Sequence, residues 1–568
     1  MASIIKKKVK KYIYYYLVES ARVNGKPRIV NQKYLGTAEG ISKAVDTKSI
    51  GIPEAESSTV LDFGAVCALY DIAERLGIRK LIDGLSEKKK QGLSVGDYIL
   101  LATINRAVSP VSKNEFFEWF DRTALHKFFP DVTDKSLSSQ AFWDNMMLLD
   151  EEELSAMEDA ITKAVVEKYG LSTDCLLYDN TNFSTYLDTS NPSKLKKRGN
   201  SKEKRTDLKS IGLTLMVSSE NNIPLFHKTY SGNMNDAEGF MQAIEALKKR
   251  YAKFVKGNDR ITLVYDKANY SDVNIEKLLD EKSCYFHVVG GLELSRCKEL
   301  LGIPKEKYLP LQGEAFKGAS AYRSQKEIYH YNMTAIIMFD PELIETQLKD
   351  IHINSKKCEA SLQQLKSSLE AWACGQVKKG RKPTIDAVEK KISDILSDEY
   401  MKDIFNCQII DTGAVPEISF TISEERFNSL KEKTLGKTVI YTDHTDWDTG
   451  KIVSAYRSQY HIEKCLKQME DSKHPGFRPV YHWTDKTLRV HAFYCILALL
   501  LSNLLNMEIK KLGYTMSVQH MLDTLDDVQQ VITVFSQKGK SIQRSSFSRF
   551  NGMAKEIIEK LDLLRYQI

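Results

Sequence analysis

The sequence predicts an α/β protein built on a mixed sheet, and three observations carry that expectation. Between residues 173 and 292, short apolar runs alternate with helical periodicity in the order β, β-hairpin, helix, β, helix, β. That order indicates a sheet covered by helices. Two of the runs end in a carboxylate, CLLYD at Asp179 and ITLVYD at Asp266, at the strand edge where α/β sites assemble. A helical stretch further on, YRSQYHIEKCLKQMED, adds Glu463.

Composition sets the bounds. A chain of 568 residues suggests about three to four domains, and 42% hydrophobic residues are enough for sizeable cores. The net charge of +6 is small for this length, so charged partners must be argued from local clusters. The nine cysteines are scattered and form no CxxC pair. A disulfide framework or zinc ribbon is therefore not expected, and a reducing cytoplasm fits.

The elements follow in order. Lys6, Lys7, Lys8, Lys10 and Lys11 precede no apolar h-region, so no signal peptide is expected. Residues 12–36 read as a β-hairpin around Asn24-Gly25, a strong two-residue turn signal. Residues 58–170 carry helical spacing, with Ser57 or Ser58 as a first cap and Gly77 as a stop. Cys175–Tyr178 reads as a short strand ending at Asp179. Ile211–Ser218 and Ile223–Tyr230 form a hairpin, and Asn235 or Asp236 caps a helix running to about residue 254. Ile261–Asp266, Asp272–Glu281 and Tyr285–Val289 read as strand, helix and strand. Residues 293–440 then interrupt the scheme with a strand-like segment near Met333–Met338, a long charged helix and a basic loop, KKGRKP. The apolar stretch Phe493–Leu505 is short for a bilayer and is broken by Ser502 and Asn503. It reads as a buried core helix, and no membrane partner is expected.

Two acids at strand ends and one on a helix can hold two divalent metals, which activate an attacking oxygen and stabilise a leaving one. This points to enzymatic cutting and joining of DNA. Each acid alone has an ordinary reading as a turn or surface residue, so the case rests on the combination. Tyr456, Gln459 and Glu463 share one helical face, with Arg457 beside it. A basic run at 193–210 holds Lys194, Lys196, Lys197, Arg198, Lys202, Lys204, Arg205 and Lys209. It is expected to be a phosphate-contacting loop, the alternative being a solvated one. A third cluster, GFRPVYHWTDKTLRVH, mixes Arg478, His482 and Trp483 and suits distorted DNA ends. No GxxxxGK[ST], HExxH or GxSxG is present.

With YDNTNFSTY, VYDKANYSD and YRSQYHIEKCLK…FRPVYHWTDKTLRVHAFYCILALLL in place, the chain resembles DDE transposases of prokaryotic insertion sequences. Within them it is similar to the cut-and-paste group with a Tyr-Arg-Glu-Lys signature. The resemblance covers most of residues 173–505. It implies an RNase H-like core with a mixed sheet, preceded by an N-terminal β-hairpin and helical domain and interrupted by an α+β insertion. The expected boundaries are 1–57 for the hairpin and linker, 58–172 for a helical and candidate DNA-binding domain, and 173–292 for the first part of the core. The insertion would span 293–440, the second part of the core 441–510, and a C-terminal helical region 511–568. The resemblance also implies two Mg²⁺ or Mn²⁺ per active site held by Asp179, Asp266 and Glu463. Its expected partners are double-stranded DNA, as terminal inverted repeats and target, and a second copy in the synaptic complex. The expected location is the cytoplasm, at the nucleoid when bound to DNA. Tyr456 matches the signature Tyr and Glu463 the signature Glu. The signature Arg falls on Gln459, near Arg457, and the signature Lys on Glu470, near Lys467 and Lys473. These departures leave two alternatives open: a structure-specific endonuclease without strand transfer, and a non-catalytic DNA-binding derivative.

Overall fold

The computed structural model describes residues 2–9, 12–23, 26–48, 55–87, 92–186, 192–199, 205, 207–251, 260–266, 272–279, 286–377, 380–471, 476–478, 480, 482–537, 540–550 and 552–568. The chain divides into two units. One comprises Met1–Ala68, Glu118–Asp131 and His520–Ile568, and the other Leu69–Phe117 and Val132–Gln519.

The first unit opens with an antiparallel sheet of β1 (Ala2–Val9), β2 (Tyr12–Val23) and β3 (Lys26–Gly36). The expected hairpin is β2 and β3, but the lysine-bearing segment before it adds a third strand. The turn residues Asn24 and Gly25 lie outside the described residues. Ser57 and Ser58, expected to cap a helix, instead belong to a strand, β4 (Ala55–Asp62), and the helix starts at Gly64.

In the second unit the helices that precede the sheet have clear local causes. Asp150 accepts from the Glu153 amide in a capping box that starts the helix Glu151–Tyr169, and Gly170, left-handed at φ 61°, ends it. Gly77, at φ 68°, likewise stops the helix Gly64–Leu76.

The main sheet has nine strands. Its first five are β5 (Cys175–Thr185), β6 (Lys209–Ser218), β7 (Pro224–Ser231), β8 (Ile261–Tyr265) and β9 (Phe286–Leu292). Next come β10 (Leu309–Pro310), β11 (Ser320–Ile328) and β12 (Tyr331–Phe339). Away from it, β13 (Phe405–Ile410) and β14 (Glu417–Ile422) pair with each other, and β15 (Lys437–Thr442) returns to the main sheet. The order is β10-β11-β12-β15-β9-β8-β5-β6-β7. β5, β8 and β9 run parallel, and the other pairings are antiparallel. β8 lies inside the sheet, and all five of its residues, including the polar Thr262, are buried, as a strand covered on both faces requires.

Two expectations are corrected here. β5 does not stop at Asp179; it continues to Thr185 because β6 keeps pairing with it from Ser218 to Lys209. The stretch 293–440 is not wholly an insertion, since β10, β11 and β12 extend the main sheet through β15. A separate apolar core lies within 341–435. It packs the helices Pro341–Ala373 and Ile385–Ile395 with β13 and β14, around Leu362, Val388, Met401 and Ile404.

The helix Asp485–Lys511 is long and apolar enough to cross a membrane, yet 94% of its most apolar window is buried in the protein. This places it in the core, as its Ser and Asn interruptions suggested. The C-terminal stretch, expected to be helical, also carries strands. β16 (Gln529–Gln537) lies between β17 (Lys540–Phe547) and β4, and this pairing holds Ser57 and Ser58 in an extended state.

Candidate active site and nucleic-acid interface

Register places the two aspartates. β5 and β8 pair with Tyr178 opposite Tyr265, so Asp179 within β5 and Asp266, one step past the end of β8, each follow directly after a paired position. β8 and β9 pair with Tyr265 opposite Gly290, so Gly291 also follows directly after a paired position.

Alternation then decides the face. Tyr178 and Tyr265 point to one side, where Phe240 of the helix Asp236–Tyr251 packs against both rings at 4.7 and 5.2 Å. Asp179, Asp266 and Gly291 therefore take the opposite side. That side is covered by the helices Thr449–Arg457 and Tyr460–Glu470. Tyr456 donates to Asp266 Oδ1 over 3.3 Å, and Thr181, two residues beyond Asp179, donates to Glu470 Oε1 over 3.3 Å. Phe183, two further on, stacks on Phe477 at 4.2 Å, with the Arg478 guanidinium 5.9 Å from its ring.

Tyr456 links the acids. Burial pushes its hydroxyl well above the ordinary tyrosine range, and the negative charges of Asp266 and Glu463 add to the shift. Its seat exists because residue 291 is glycine: a Cβ there would lie 2.3 Å from the hydroxyl oxygen. Glu463 itself is exposed, one turn after Gln459, whose amide nitrogen is buried with no hydrogen-bond partner among the described residues. His461, two residues before Glu463, is half-buried. Burial, then Lys464 and Lys510, hold its imidazole down at about 4, so it is neutral at pH 7.

Mg²⁺ and Mn²⁺ are hard cations that take oxygen ligands, so the donor set of three carboxylates suits them. Among the described residues, however, no three His, Cys, Asp or Glu side chains lie close enough together to hold an ion.

The basic residues divide into two layers. Lys194, Lys197 and Arg198 are exposed. The loop that carries them is pinned by Asp485, whose carboxylate accepts from the Lys194 amide at 2.8 Å and from the Ser193 hydroxyl. Backbone bonds between Lys197 and Ser210 hold its far side. Trp483 is 58% exposed and belongs to the same neighbourhood, because Lys196 reaches its carbonyl.

Lys196 and His482 are corrections to the expected contact set. Lys196 is only 1% exposed, and its ammonium donates to the carbonyls of His482 at 3.0 Å and Trp483 at 2.6 Å. His482 packs on Trp143 at 4.9 Å. Burial, then Lys113, Arg106 and Lys196, drive its imidazole down to about 3. Lys196 faces inward and cannot touch a phosphate, and His482 is half-buried against Trp143. Arg457 is also engaged internally, on Asp340 at 2.5 Å and the Ala315 carbonyl at 2.7 Å. Arg205 pairs with Asp207 at 2.7 Å. Lys467 is exposed beside Glu463. Lys202, Lys204 and Lys473 lie outside the described residues, as do Lys378 and Lys379 of the KKGRKP loop.

Sequence reasoning missed Gly291, Thr181, Asp485 and Asp340. Only Asp485 had a visible signal: Thr484 and Thr487 form the capping box of the helix it begins, which marks the preceding chain as an anchored loop.

No protein-family model matches the chain, and no curated protein matches it. Among solved structures it is similar to a piggyBac transposase synaptic complex with hairpin DNA. The TM-score is 0.37 at 10% identity, over 83% of this chain and 82% of that one.

Proposed function

We propose that this chain is a DDE-type transposase of the insertion-sequence group, cutting DNA at element ends and transferring the freed strand. The observation that carries the reading is the shared face of Asp179 and Asp266, each directly after a paired position of parallel neighbours, with Tyr456 joining Asp266 to the electrostatic range of Glu463. The strand order β7-β6-β5-β8-β9, a meander followed by two strands parallel to β5, supports an RNase H-like core. In this reading Asp179, Asp266 and Glu463 hold two Mg²⁺ or Mn²⁺. When bound, such ions lower the charge cost of in-line displacement at phosphorus.

The other residues bind and orient. Lys194, Lys197 and Arg198 neutralise backbone phosphates, the dominant sequence-independent term in DNA affinity. Trp483 offers a stacking face at a distorted end. Tyr456 fixes the direction of Asp266, and Arg478 lies further along the same face of β5. Synapsis of two ends calls for two copies.

A second reading, a DNA-binding derivative that has lost cutting, is favoured by one observation. The three acids do not converge into an ion-holding group among the described residues, and Gln459 and Glu470 replace the basic residues of the signature.

Incubation with a plasmid carrying the element's own terminal repeats, with Mg²⁺ and a target DNA, tests these readings. Excised and joined products support the transposase. Cut but unjoined product supports an endonuclease. Binding without any cutting supports the derivative.

A further inference from the structure

The N-terminal sheet carries a surface that the reading above leaves unused. Residues 1–36 hold nine Lys and Arg against a single acid, Glu19, whereas the whole chain nets only +6. Opposed residues of antiparallel strands share a face, as do alternate residues of one strand. The pairs Val9↔Tyr12, Lys7↔Tyr14, Ile5↔Tyr16 and Tyr16↔Tyr34 therefore gather Tyr12, Tyr14, Tyr16, Tyr34 and Lys7 on one face.

The rings form a continuous row. Centroids are 6.5 Å apart for Tyr12–Tyr14, 5.9 Å for Tyr14–Tyr34 and 5.3 Å for Tyr16–Tyr34. The Lys7 ammonium lies 4.9 Å from the Tyr16 centroid and donates to Gln32 at 2.8 Å. The row is open at its Tyr12 end and at Tyr34 within it, which are 54% and 56% exposed, and Tyr14 and Tyr16 are half-buried. Lys6, Lys8 and Lys33 are exposed as well, on the opposite face, where they pair with Tyr15, Ile13 and Leu17.

We propose that this face binds single-stranded nucleic acid, with bases stacking on the tyrosines and Lys7 meeting a phosphate beside them. Flat π-faces accept any base, and interleaved cations follow the backbone. Charge selects this occupant over a second copy of the chain. The edge strand β1 carries Lys6, Lys7 and Lys8, and lysines on an edge oppose pairing with another like-charged strand. The proposal does not depend on the carboxylate site: a chain that never cuts would still bind in this way.

The test is fluorescence anisotropy of the full chain with a labelled oligo-dT strand of about 20 nucleotides, beside a duplex of equal length. The double variant Tyr14→Leu/Tyr34→Leu keeps apolar bulk but removes the stacking faces. It is expected to weaken single-strand binding about tenfold or more and to change duplex binding less than about twofold. Tyr34→Phe, which still stacks, is expected to bind like wild type. Lys7→Gln is expected to weaken binding and reduce the salt slope by about 0.7. These two variants decide the matter if the double variant fails to fold. Wild-type single-strand affinity in a folded double variant would overturn the proposal. So would a wild-type dimer, seen by light scattering, that the double variant abolishes.

Discussion

Tyr456 donates a hydrogen bond to Asp266 Oδ1, 3.3 Å away, from a seat that a side chain at position 291 would fill. The relationship ties the helix Thr449–Arg457 to the end of β8. It gives the carboxylate a fixed direction beside Asp179.

Gly291→Ala is expected to destabilise the protein by roughly 1–3 kcal/mol, the usual cost of overpacking, because its Cβ would meet the hydroxyl at 2.3 Å. Tyr456→Phe removes that oxygen. The double variant Gly291→Ala/Tyr456→Phe is therefore expected to lose less than the sum of the two single changes. Urea midpoints for the four proteins measure this coupling.

The two layers of the basic loop separate by substitution. Lys196→Met, at a buried side chain, leaves the part-buried carbonyls of His482 and Trp483 without their donor, and it is expected to cost roughly 1–3 kcal/mol of stability. Lys194→Gln, Lys197→Gln and Arg198→Gln are exposed changes expected to stay within about 0.5 kcal/mol. Each of these three is expected to flatten the salt dependence of duplex binding by about 0.9 in slope. Thermal melts and anisotropy titrations at several salt concentrations check both halves.

Lys113 gives a pH prediction. It is 8% exposed and caged by the rings of Phe116, Phe142 and Tyr494 at 4.3, 4.6 and 4.9 Å. Its neighbours Arg106, His482, His491 and Cys495 offer no carboxylate. Burial, then Arg106, lowers its ammonium from 10.5 to about 7. Between those values the unfolded chain holds the extra proton, so this group makes stability rise with pH from about 7 to 10.5. Below about 7 its full penalty is present. Lys113→Met is expected to be more stable than wild type at pH 6.5, with the difference shrinking as pH rises through that window. Paired denaturant curves at several pH values measure the difference.

Arg457→Gln is expected to lower stability by roughly 1–3 kcal/mol, because it removes the guanidinium that pairs with Asp340 Oδ2 and leaves that carboxylate, at the base of the long helix Pro341–Ala373, only its capping bond to the Glu342 amide. DNA affinity is expected to stay within about twofold, since the guanidinium is held by Asp340 and the Ala315 carbonyl. A melt and a binding isotherm on the same sample separate the two effects.

Much of this architecture was legible in the sequence because apolar periodicity reports burial directly. β6, β7, β8 and β9 fall where their runs predict. The matching placement of Asp179 and Asp266 was implicit in two parallel runs ending alike. β11 and β17 were not legible: SAYRSQKEI and KSIQRSSF are polar, and they become strands only because β12 and β16 offer them an edge. The inward turn of Lys196 escaped for a related reason. A charge run in a loop has no period, so nothing local tells which lysine will find carbonyls beneath it. Lys194, Lys197 and Arg198 are exposed, as a phosphate-contacting loop and a solvated one both require. Gly291 was silent because its meaning lies in Tyr456, far away in sequence.

The central claim is that Asp179, Asp266 and Glu463 act together on a phosphodiester. The most direct measurement is the single-turnover cleavage rate of a terminal-repeat DNA in Mg²⁺ for wild type, Asp179→Asn, Asp266→Asn and Glu463→Gln, with DNA affinity measured alongside. The account predicts metal-dependent cutting by wild type and a loss of at least about a hundredfold in each variant, at unchanged affinity. Cutting by any of the three variants at the wild-type rate, or tight binding by wild type with no cutting in metal, would contradict it.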